Sequence, residues 1–346
     1  MTRCRWWIFV CMLAALRLAA GTAAEDAALR LPPYPLGPVV MLADGGIAAG
    51  RLEAITPESV EIDSPLLGKL TVLRDRVAGY RANMAVGPVP PRRPDKKDGE
   101  AAVVRLVNGD SVIASSLSAV ADEVTIRMTA PVPQAVAIPL ESVRAIDFAA
   151  APAEPTLPRR LVALADGSRF VEASLPVACN SADVVMALVE GEGTLLLPRL
   201  EPLVHEQGDC GRPHQPLARG STLSGDWPSA RGTTAFTALG MQAPARVRYQ
   251  LASPAHRFES LVAIDDSAGQ GGSVIVRVRA IDPVGVGRDV YASPILWGGD
   301  KPHSISVELA GAVALELIVD PADGSTALDR TIWLDPRVTC TVSEGR

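Results

Sequence analysis

Val39-Val40-Met41-Leu42-Ala43-Asp44-Gly45 is the first of three similar stretches that decide the fold of this 346-residue chain. The pattern, an apolar run that ends in Asp-Gly or Asn-Gly, returns at residues 103–109 and 161–167. These dipeptides tolerate the positive φ angles of a tight hairpin, so each stretch predicts a two-residue turn between antiparallel strands. The alternative is a metal or catalytic loop, but the steric demand of the turn favours the hairpin.

Alternating strands follow the turns. Val60-Glu61-Ile62-Asp63 and Val124-Thr125-Ile126-Arg127 place apolar and polar residues on opposite faces of a strand. The chain therefore contains three β repeats, which we place at 38–82, 101–148 and 161–205. Each repeat is expected to be a small antiparallel meander or barrel-like unit. A Pro-rich, charged linker (83–100) and an Ala/Pro linker (149–160) separate them and are expected to be extended.

The N-terminus is typical of a secretory signal peptide. Arg3 and Arg5 precede an apolar run, and small residues at 22–24 offer a cleavage site, so residues 1–24 are expected to be removed. An uncleaved anchor is the alternative, but Arg17 leaves the apolar run too short to span a bilayer. We therefore predict a secreted or periplasmic protein with no stable membrane span after cleavage.

The net charge limits the expected partners, and the cysteine count limits the expected disulfides. A net charge of -6 and an acidic pI near 5.4 give no basic field that would attract nucleic acid. Signal cleavage would leave Cys179, Cys210 and Cys340 in an oxidising compartment. Cys179 and Cys210 are closest in sequence and form the expected disulfide, although sequence alone leaves the connectivity open.

A different pattern begins after residue 213. Short β-branched runs alternate with Gly, Pro and Asp clusters, a spacing that indicates a β-sandwich. The strand candidates are Arg246–Leu251, Phe258–Ile264, Ser273–Arg279, Ser304–Leu309 and Ala314–Val319. The whole chain is thus predicted to be all-β, with three repeats followed by a sandwich.

The order of segments in this region resembles the NPCBM family, carbohydrate-binding modules found beside glycoside hydrolases and in many exported bacterial proteins. The resemblance runs roughly from Leu217 to Val342. Its segments are Gly240–Leu251, Phe258–Asp266, Gly272–Val278, Ser304–Ala314 and Asp329–Trp333. It implies a jelly-roll-like sandwich that binds sugar on loops at one end.

Two positions depart from the family pattern. Gln242 stands where the family commonly has a histidine, and Arg330 stands where it commonly has another before the late tryptophan. Both changes remove imidazoles. The resemblance therefore implies either a ligand that is bound differently or a site that is lost.

Trp297 is the best candidate for a sugar platform. A pyranose needs a flat apolar surface for its C–H face and polar groups for its hydroxyls. Trp297 lies in a glycine-rich loop with Asp300 and Lys301, and Tyr291 is a candidate at the rim. The alternative for Trp297 is packing over the edge of the sandwich, and Tyr291 has a core alternative.

Three further sets of residues each have a functional and a structural interpretation. An alternating strand would place Asp329, Trp333 and Asp335 on one face, so Trp333 and Asp329 are candidate ligand contacts, with a core role as the alternative. Asp265 and Asp266 are expected to close a turn, and a structural calcium site is the alternative. The third set is His205, Cys210 and His214. Its spacing matches no standard zinc site, so no metal is expected there.

The sequence contains no catalytic motif of the common kinds: no G-x-S-x-G, no H-E-x-x-H, no P-loop and no dinucleotide-binding loop. We therefore predict an exported, non-catalytic protein that binds carbohydrate or a cell-surface glycan through loop aromatics. The rival is a structural or protein-interaction protein of the cell envelope whose sandwich no longer binds sugar. A subunit that acts beside a hydrolase is a third class.

Overall fold

A computed structural model describes residues 31–83, 102–128, 134–148, 159–171, 184–191, 193–209 and 215–341. The predicted signal peptide, Cys179, Cys210 and most of both linkers lie outside these ranges. The first two repeats contain twelve strands: β1 (Val39–Leu42), β2 (Ile47–Ala49), β3 (Arg51–Ile55), β4 (Ser59–Ser64), β5 (Gly68–Leu73), β6 (Val77–Arg81), β7 (Ala102–Leu106), β8 (Ser111–Ala114), β9 (Ser116–Val120), β10 (Glu123–Met128), β11 (Gln134–Pro139) and β12 (Val143–Phe148).

The rest of the chain adds fifteen described strands: β13 (Arg159–Leu164), β14 (Arg169–Val171), β15 (Val184–Glu190), β16 (Thr194–Leu196), β17 (Val204–Gln207), β18 (Ala218–Arg219), β19 (Ser229–Ala230), β20 (Thr233–Thr234), β21 (Ala238–Gln242), β22 (Ala245–Ile264), β23 (Ser273–Ile281), β24 (Gly287–Ala292), β25 (Leu296–Trp297), β26 (His303–Pro321) and β27 (Arg330–Cys340). The described helical segments are short 3₁₀ turns: Arg74–Arg76, Leu140–Ser142, Leu197–Arg199 and Asp266–Ala268. The all-β prediction is confirmed. No described helix has the length and apolar character needed to cross a bilayer.

The three Asp-Gly or Asn-Gly sites are hairpin turns, but of three residues rather than two. In the first, the Leu42 amide donates to Gly46 O and the Gly45 amide donates back to Leu42 O. Gly45, Gly109 and Gly167 have φ values of 91°, 93° and 85°, the left-handed conformation of a type I turn closed by a glycine bulge. Each preceding Asp or Asn accepts the amide of the residue two positions on, as Asp44 does from Gly46 at 2.9 Å.

The first two repeats share two sheets rather than standing as separate units. Sheet I has the order β15-β13-β14-β2-β1-β6-β12-β7-β8, and sheet II the order β11-β10-β9-β3-β4-β5. Each of these two repeats contributes three strands to sheet I and three to sheet II. The interior faces form one core, which includes Val40, Tyr80 and Ile146 from sheet I and Leu52 and Ile126 from sheet II. A repeat of this size has little apolar surface to bury alone, and pairing supplies the missing partner face.

The pairing is nearly two-fold symmetric. The two repeats meet where β6 pairs with β12 and where β3 pairs with β9, and the strand order on either side of both seams is mirrored. Tyr80 lies opposite Ile146 at the centre of the first seam, and both are fourth in strands that follow equivalent 3₁₀ turns. The two sequence repeats therefore associate like the halves of a dimer within one chain.

Equivalent positions beside this centre carry opposite charges. Arg81 and Asp147 are each fifth in their strand, and both are almost fully buried, at 1% and 3% exposure. The Arg81 guanidinium lies 2.5 Å from Asp147 Oδ1, and Arg105 lies 3.1 Å from Asp147 Oδ2. Burial lowers the pKa of Arg81, an effect that the Asp147 charge opposes. Identical repeats would place like charges here, so the two repeats have diverged to complement each other.

The third repeat connects sheet I to the C-terminal sandwich. Its strands β13, β14 and β15 extend sheet I, with Arg169 of β14 opposite Ile47 of β2. Its later strands leave sheet I: β16 pairs with β27, and β17 pairs with β22. Sheet III, the ten-stranded sheet of the sandwich, therefore includes strands upstream of residue 217.

Two long strands organise sheet III. β22 and β26 pair along nearly their whole lengths, with an irregularity between Gln250 and Ala255. Ala310 and Gly311 have φ values of 50° and 79° at the matching place in β26. One half of β22 pairs with β17 and the other with β27, so the sheet bends around a single apolar core. The predicted C-terminal β-sandwich is confirmed.

Arg169 joins the repeats to the sandwich. Its guanidinium is buried and donates to Ala235 O at 2.6 Å, to Thr234 Oγ1 at 3.0 Å and to Pro32 O at 3.0 Å. It also stacks over the Tyr34 ring, 3.5 Å from the ring centre. An apolar cluster beside it packs Trp227 against Val39 and Ile47 on the outer face of sheet I. This part of sheet I is therefore covered on both faces.

Asp335 is a buried acid at the same junction. A bulge in β27 gives it a φ of 44°, and its carboxylate accepts the amides of Phe236 at 3.1 Å and Thr237 at 2.9 Å. Burial raises the pKa of Asp335 to about 6, although these amides and the charges of Arg337 and Arg169 lower it. The folded protein thus retains a proton on Asp335 over a pH range in which the unfolded chain has lost it.

We predict that Asp147→Leu lowers the free energy of unfolding by about 3–5 kcal/mol, because it leaves the Arg81 charge buried without its carboxylate partner. The double variant Arg81→Met/Asp147→Leu should recover most of that loss. Urea unfolding of the two single variants and the double variant measures the coupling. Additive losses in the double variant would contradict the buried pair at the seam.

We predict a pH-dependent stability difference between the wild type and Asp335→Asn. The raised pKa favours folding below about pH 4, and this contribution is lost as pH rises to about 6, so the wild type should lose up to about 3 kcal/mol relative to the variant. Urea unfolding at pH 4.5 and 7.5 measures the difference. A wild-type advantage that grew with pH would contradict the assignment.

Candidate functional site

Trp297 lies at one end of the sandwich. It is the last residue of β25 and pairs with Ser273 at the start of β23. Its side chain is 50% exposed, whereas Trp227 and Trp333 are 7% and 0% exposed. The packing alternative for Trp297 therefore describes only part of its surface, and the rest of the indole faces solvent.

A short turn holds Trp297 beside two charges of opposite sign. The Trp297 amide donates to Asp300 Oδ2 at 3.3 Å, and the Asp300 amide donates to Trp297 O at 3.2 Å. Gly299 has a φ of 97°, which an L side chain rarely adopts. Asp300 and Lys301 are both exposed. The turn therefore presents an apolar surface, an anion and a cation within five consecutive residues.

Three loops contact one another around this turn through glycines: 265–272, 297–302 and 321–329. A Cβ on Gly298 would lie 2.0 Å from Gly271 O, and a Cβ on Gly272 would lie 2.4 Å from Leu328 O. The Gly298 amide also donates to Gly272 O at 3.0 Å. The glycine richness of these loops is therefore a packing requirement, and it brings segments that are distant in sequence into one surface.

Asp329 lies beneath this surface. It is 1% exposed, and its Oδ1 accepts the amide of Ser273 at 2.7 Å; Ser273 is the residue that pairs with Trp297. Burial raises the pKa of Asp329. The expectation that Asp329 contacts a ligand is corrected: its burial makes it a positioning residue that ties loop 321–329 to the start of β23.

Trp333 belongs to the core. Its indole is fully buried and meets the Phe258 ring edge-on, with ring centres 6.2 Å apart and planes at 68°. The expectation that Trp333 contacts a ligand is corrected by this burial. The bulge at Asp335 also interrupts the strand alternation that placed Asp329, Trp333 and Asp335 on one face.

Tyr291 lies away from Trp297. Tyr291 is opposite Val278 in β23, five residues along the strand from Ser273, a separation of about 16 Å. Its hydroxyl is 2.6 Å from His303 Nε2, and the two rings are 6.2 Å apart. His303 follows the loop that carries Trp297, so this pair connects edge strand β24 to the end of that loop. Sequence reasoning missed His303 because no spacing links it to Tyr291.

The two departures from the family pattern hold loops in place. Gln242 is buried, and its Nε2 donates to Thr326 O at 2.9 Å in loop 321–329. Arg330 Nη1 donates to Ser267 Oγ at 3.1 Å in loop 265–272. Both side chains therefore support the loop end of the sandwich.

Asp265 and Asp266 close a turn. Asp265 Oδ1 accepts the Ser267 amide at 2.9 Å, and the Asp266 carboxylate accepts the Arg231 amide at 3.0 Å. Across the described residues, no three His, Cys, Asp or Glu side chains are grouped as metal ligands. Calcium stays a prediction. His205 lies in β17, while Cys210 and His214 are outside the described ranges, as is the predicted Cys179–Cys210 disulfide; Cys340 is buried with a free thiol.

Comparison with known proteins finds a family match in the C-terminal region. The family model described as the NPCBM/NEW2 domain matches residues 197–339. A Renibacterium salmoninarum protein described as "Putative endo-alpha-N-acetylgalactosaminidase" is 28% identical over 125 residues, which cover 36% of this chain and 8% of that protein. The chain thus matches only a small part of the length of that curated relative.

Solved structures of carbohydrate-binding modules overlap the chain in part. One is the CBM51 module of a Clostridium perfringens GH95 protein in complex with methyl-galactose, with 19% identity, a TM-score of 0.36, and coverage of 42% of this chain and 99% of that one. Another is the tandem CBM51 modules of a Streptococcus pneumoniae family 98 glycoside hydrolase, with 14% identity, a TM-score of 0.37, and coverage of 88% of both chains.

We predict that Asp329→Ala lowers the free energy of unfolding by about 1–3 kcal/mol, because the buried Ser273 amide loses its acceptor. Asp63→Ala, at an exposed aspartate of β4, is the control and should change stability by less than about 0.5 kcal/mol. Thermal unfolding of the three proteins gives the comparison. Equal stability of Asp329→Ala and the wild type would contradict the positioning role.

Proposed function

We propose, from the premise that residues 197–339 are an NPCBM/NEW2 domain, that this chain binds carbohydrate through the loop that carries Trp297. The proposal is carried by one observation: the Trp297 indole is half exposed and lies in a turn closed by hydrogen bonds between Trp297 and Asp300. The two other described tryptophans are buried, so Trp297 is the indole among them that a ligand can reach without unfolding the sandwich.

The chemistry of the loop supports an uncharged sugar. An indole face covers the C–H face of a pyranose, and this apolar contact needs no charge on the ligand. Asp300 and Lys301 oppose each other in sign and are both exposed, so the turn has no net field that would select an anion or a cation. Their oxygen and nitrogen atoms can bind hydroxyl groups at the rim.

We infer that the chain binds without catalysing a reaction. The observation that supports this inference is that the common catalytic motifs are missing from the sequence. The curated relative carries a hydrolase name, but this chain matches 8% of its length. We infer that the segment shared with that relative is a binding module.

Export to the periplasm or the medium is part of the proposal and rests on the N-terminal pattern of positive charge, apolar run and small residues. In that setting the paired repeats provide a rigid mount, since Arg169 and the Trp227 cluster fix the sandwich to sheet I. The rival function is an envelope protein that binds other proteins. Gln242 and Arg330 favour this rival, because each stands where a histidine is common in the NPCBM pattern and instead forms a hydrogen bond to a neighbouring loop.

We predict that Trp297→Ala lowers carbohydrate affinity at least tenfold, equivalent to about 1.4 kcal/mol, without changing the thermal unfolding temperature. A glycan array with the full chain, followed by titration calorimetry of the best ligand, measures the effect. Val284→Ala removes an exposed apolar side chain from the hairpin at the other end of β23 and is the control. Unchanged affinity in a folded Trp297→Ala protein would exclude this platform, and a silent wild type would favour the protein-binding rival.

A further inference from the structure

We infer that Gln270, in the loop next to Trp297, binds sugar hydroxyls and selects pyranoses with adjacent hydroxyl groups. A Cβ on Gly299 would lie 2.2 Å from Gln270 Oε1 and 2.9 Å from its Nε2. The carboxamide therefore packs directly against Gly299, in the turn between Trp297 and Asp300. This inference rests on the proposed function of the Trp297 loop.

The carboxamide is available to a ligand. Gln270 is exposed, and its side chain makes no hydrogen bond with any residue that the structure describes. This exposed side chain packs against the backbone of the neighbouring turn at Gly299. The structure therefore leaves the hydrogen-bonding groups of the amide open, in contact with the turn that follows Trp297.

Hydrogen bonds hold the loop that carries Gln270 in one conformation. The Gly271 amide donates to Ala268 O at 3.0 Å, and Arg231 Nη2 donates to Gly269 O at 2.5 Å. Asp265 caps the 3₁₀ turn Asp266–Ala268 by accepting the Ser267 amide. A ligand that contacts Gln270 would therefore not have to order this loop, and a pre-ordered loop reduces the entropic cost of binding.

The hydrogen-bonding groups of the Gln270 carboxamide indicate the class of ligand. A carboxamide has an acceptor oxygen and two N–H donors in one plane, so it can accept from one hydroxyl and donate to its neighbour. The Trp297 face would hold the sugar ring while Gln270 binds two adjacent hydroxyls at the ring edge. The expected ligand is an uncharged pyranose, because Asp300 and Lys301 leave the turn without net charge.

The test compares affinities across a matched ligand series. Methyl glycosides of galactose, glucose, mannose and N-acetylglucosamine are titrated against the full chain, followed by monodeoxy derivatives of the best binder. Gln270→Ala should lower the affinity for the parent glycoside about tenfold. It should leave the affinity for one of the monodeoxy derivatives unchanged, because that derivative lacks the hydroxyl that Gln270 binds.

Two further variants sharpen the result. Gln270→Leu, which keeps a side chain of similar size but removes its hydrogen-bonding groups, should lower the affinity as much as Gln270→Ala does. Gln134→Ala, an exposed glutamine in β11, should bind as the wild type does.

The two proposals fail in different ways. Binding that requires Trp297 but is unchanged by Gln270→Ala, or that falls equally for every deoxy derivative, would overturn this inference alone. A wild type that binds none of the glycosides, or that binds them without Trp297, would overturn the proposed function and this inference with it.

Discussion

The buried Arg169 guanidinium is the contact on which the arrangement of the molecule depends. It lies in the third repeat, yet its hydrogen bonds end on residues 32, 234 and 235, so one side chain joins the start of the described chain, sheet I and the sandwich. Burial lowers its pKa, and this cost is tolerated because carbonyl oxygens and the Tyr34 ring surround the charge. The repeats and the sandwich are therefore joined by a specific polar junction as well as by apolar packing.

The hairpins could be predicted from sequence because their cause is local. Asp44-Gly45 and its two counterparts require a left-handed glycine and an acceptor for a nearby amide, and both requirements are written in neighbouring residues. The pairing of repeats could not be predicted in the same way. Tyr80 and Ile146 look like ordinary strand residues, and only the fold shows that they lie opposite each other at a seam between two similar units.

The residues at the loop end of the sandwich show the same difference between local and long-range causes. Trp297 was identifiable because a tryptophan among glycines in an aromatic-poor chain is unusual, and its half exposure suits a platform. Trp333 and Asp329 had the same signals of type and spacing, but core packing against Phe258 buries Trp333, and the close approach of loops at Gly272 accompanies the burial of Asp329. Burial depends on contacts between distant segments, so spacing alone could not separate the platform from its supports. Gln270 was missed for the same reason, since its partner is a glycine in another loop.

Tryptophan fluorescence of the full chain tests the central claim most directly, because Trp297 is the exposed indole among the described tryptophans. Acrylamide quenching is measured with and without a bound glycan, for the wild type and for Trp297→Phe. The account predicts that the glycan shifts wild-type emission to shorter wavelength and protects it from quenching, and that it does neither in the variant. Saturable glycan binding that leaves wild-type emission and quenching unchanged would contradict the account.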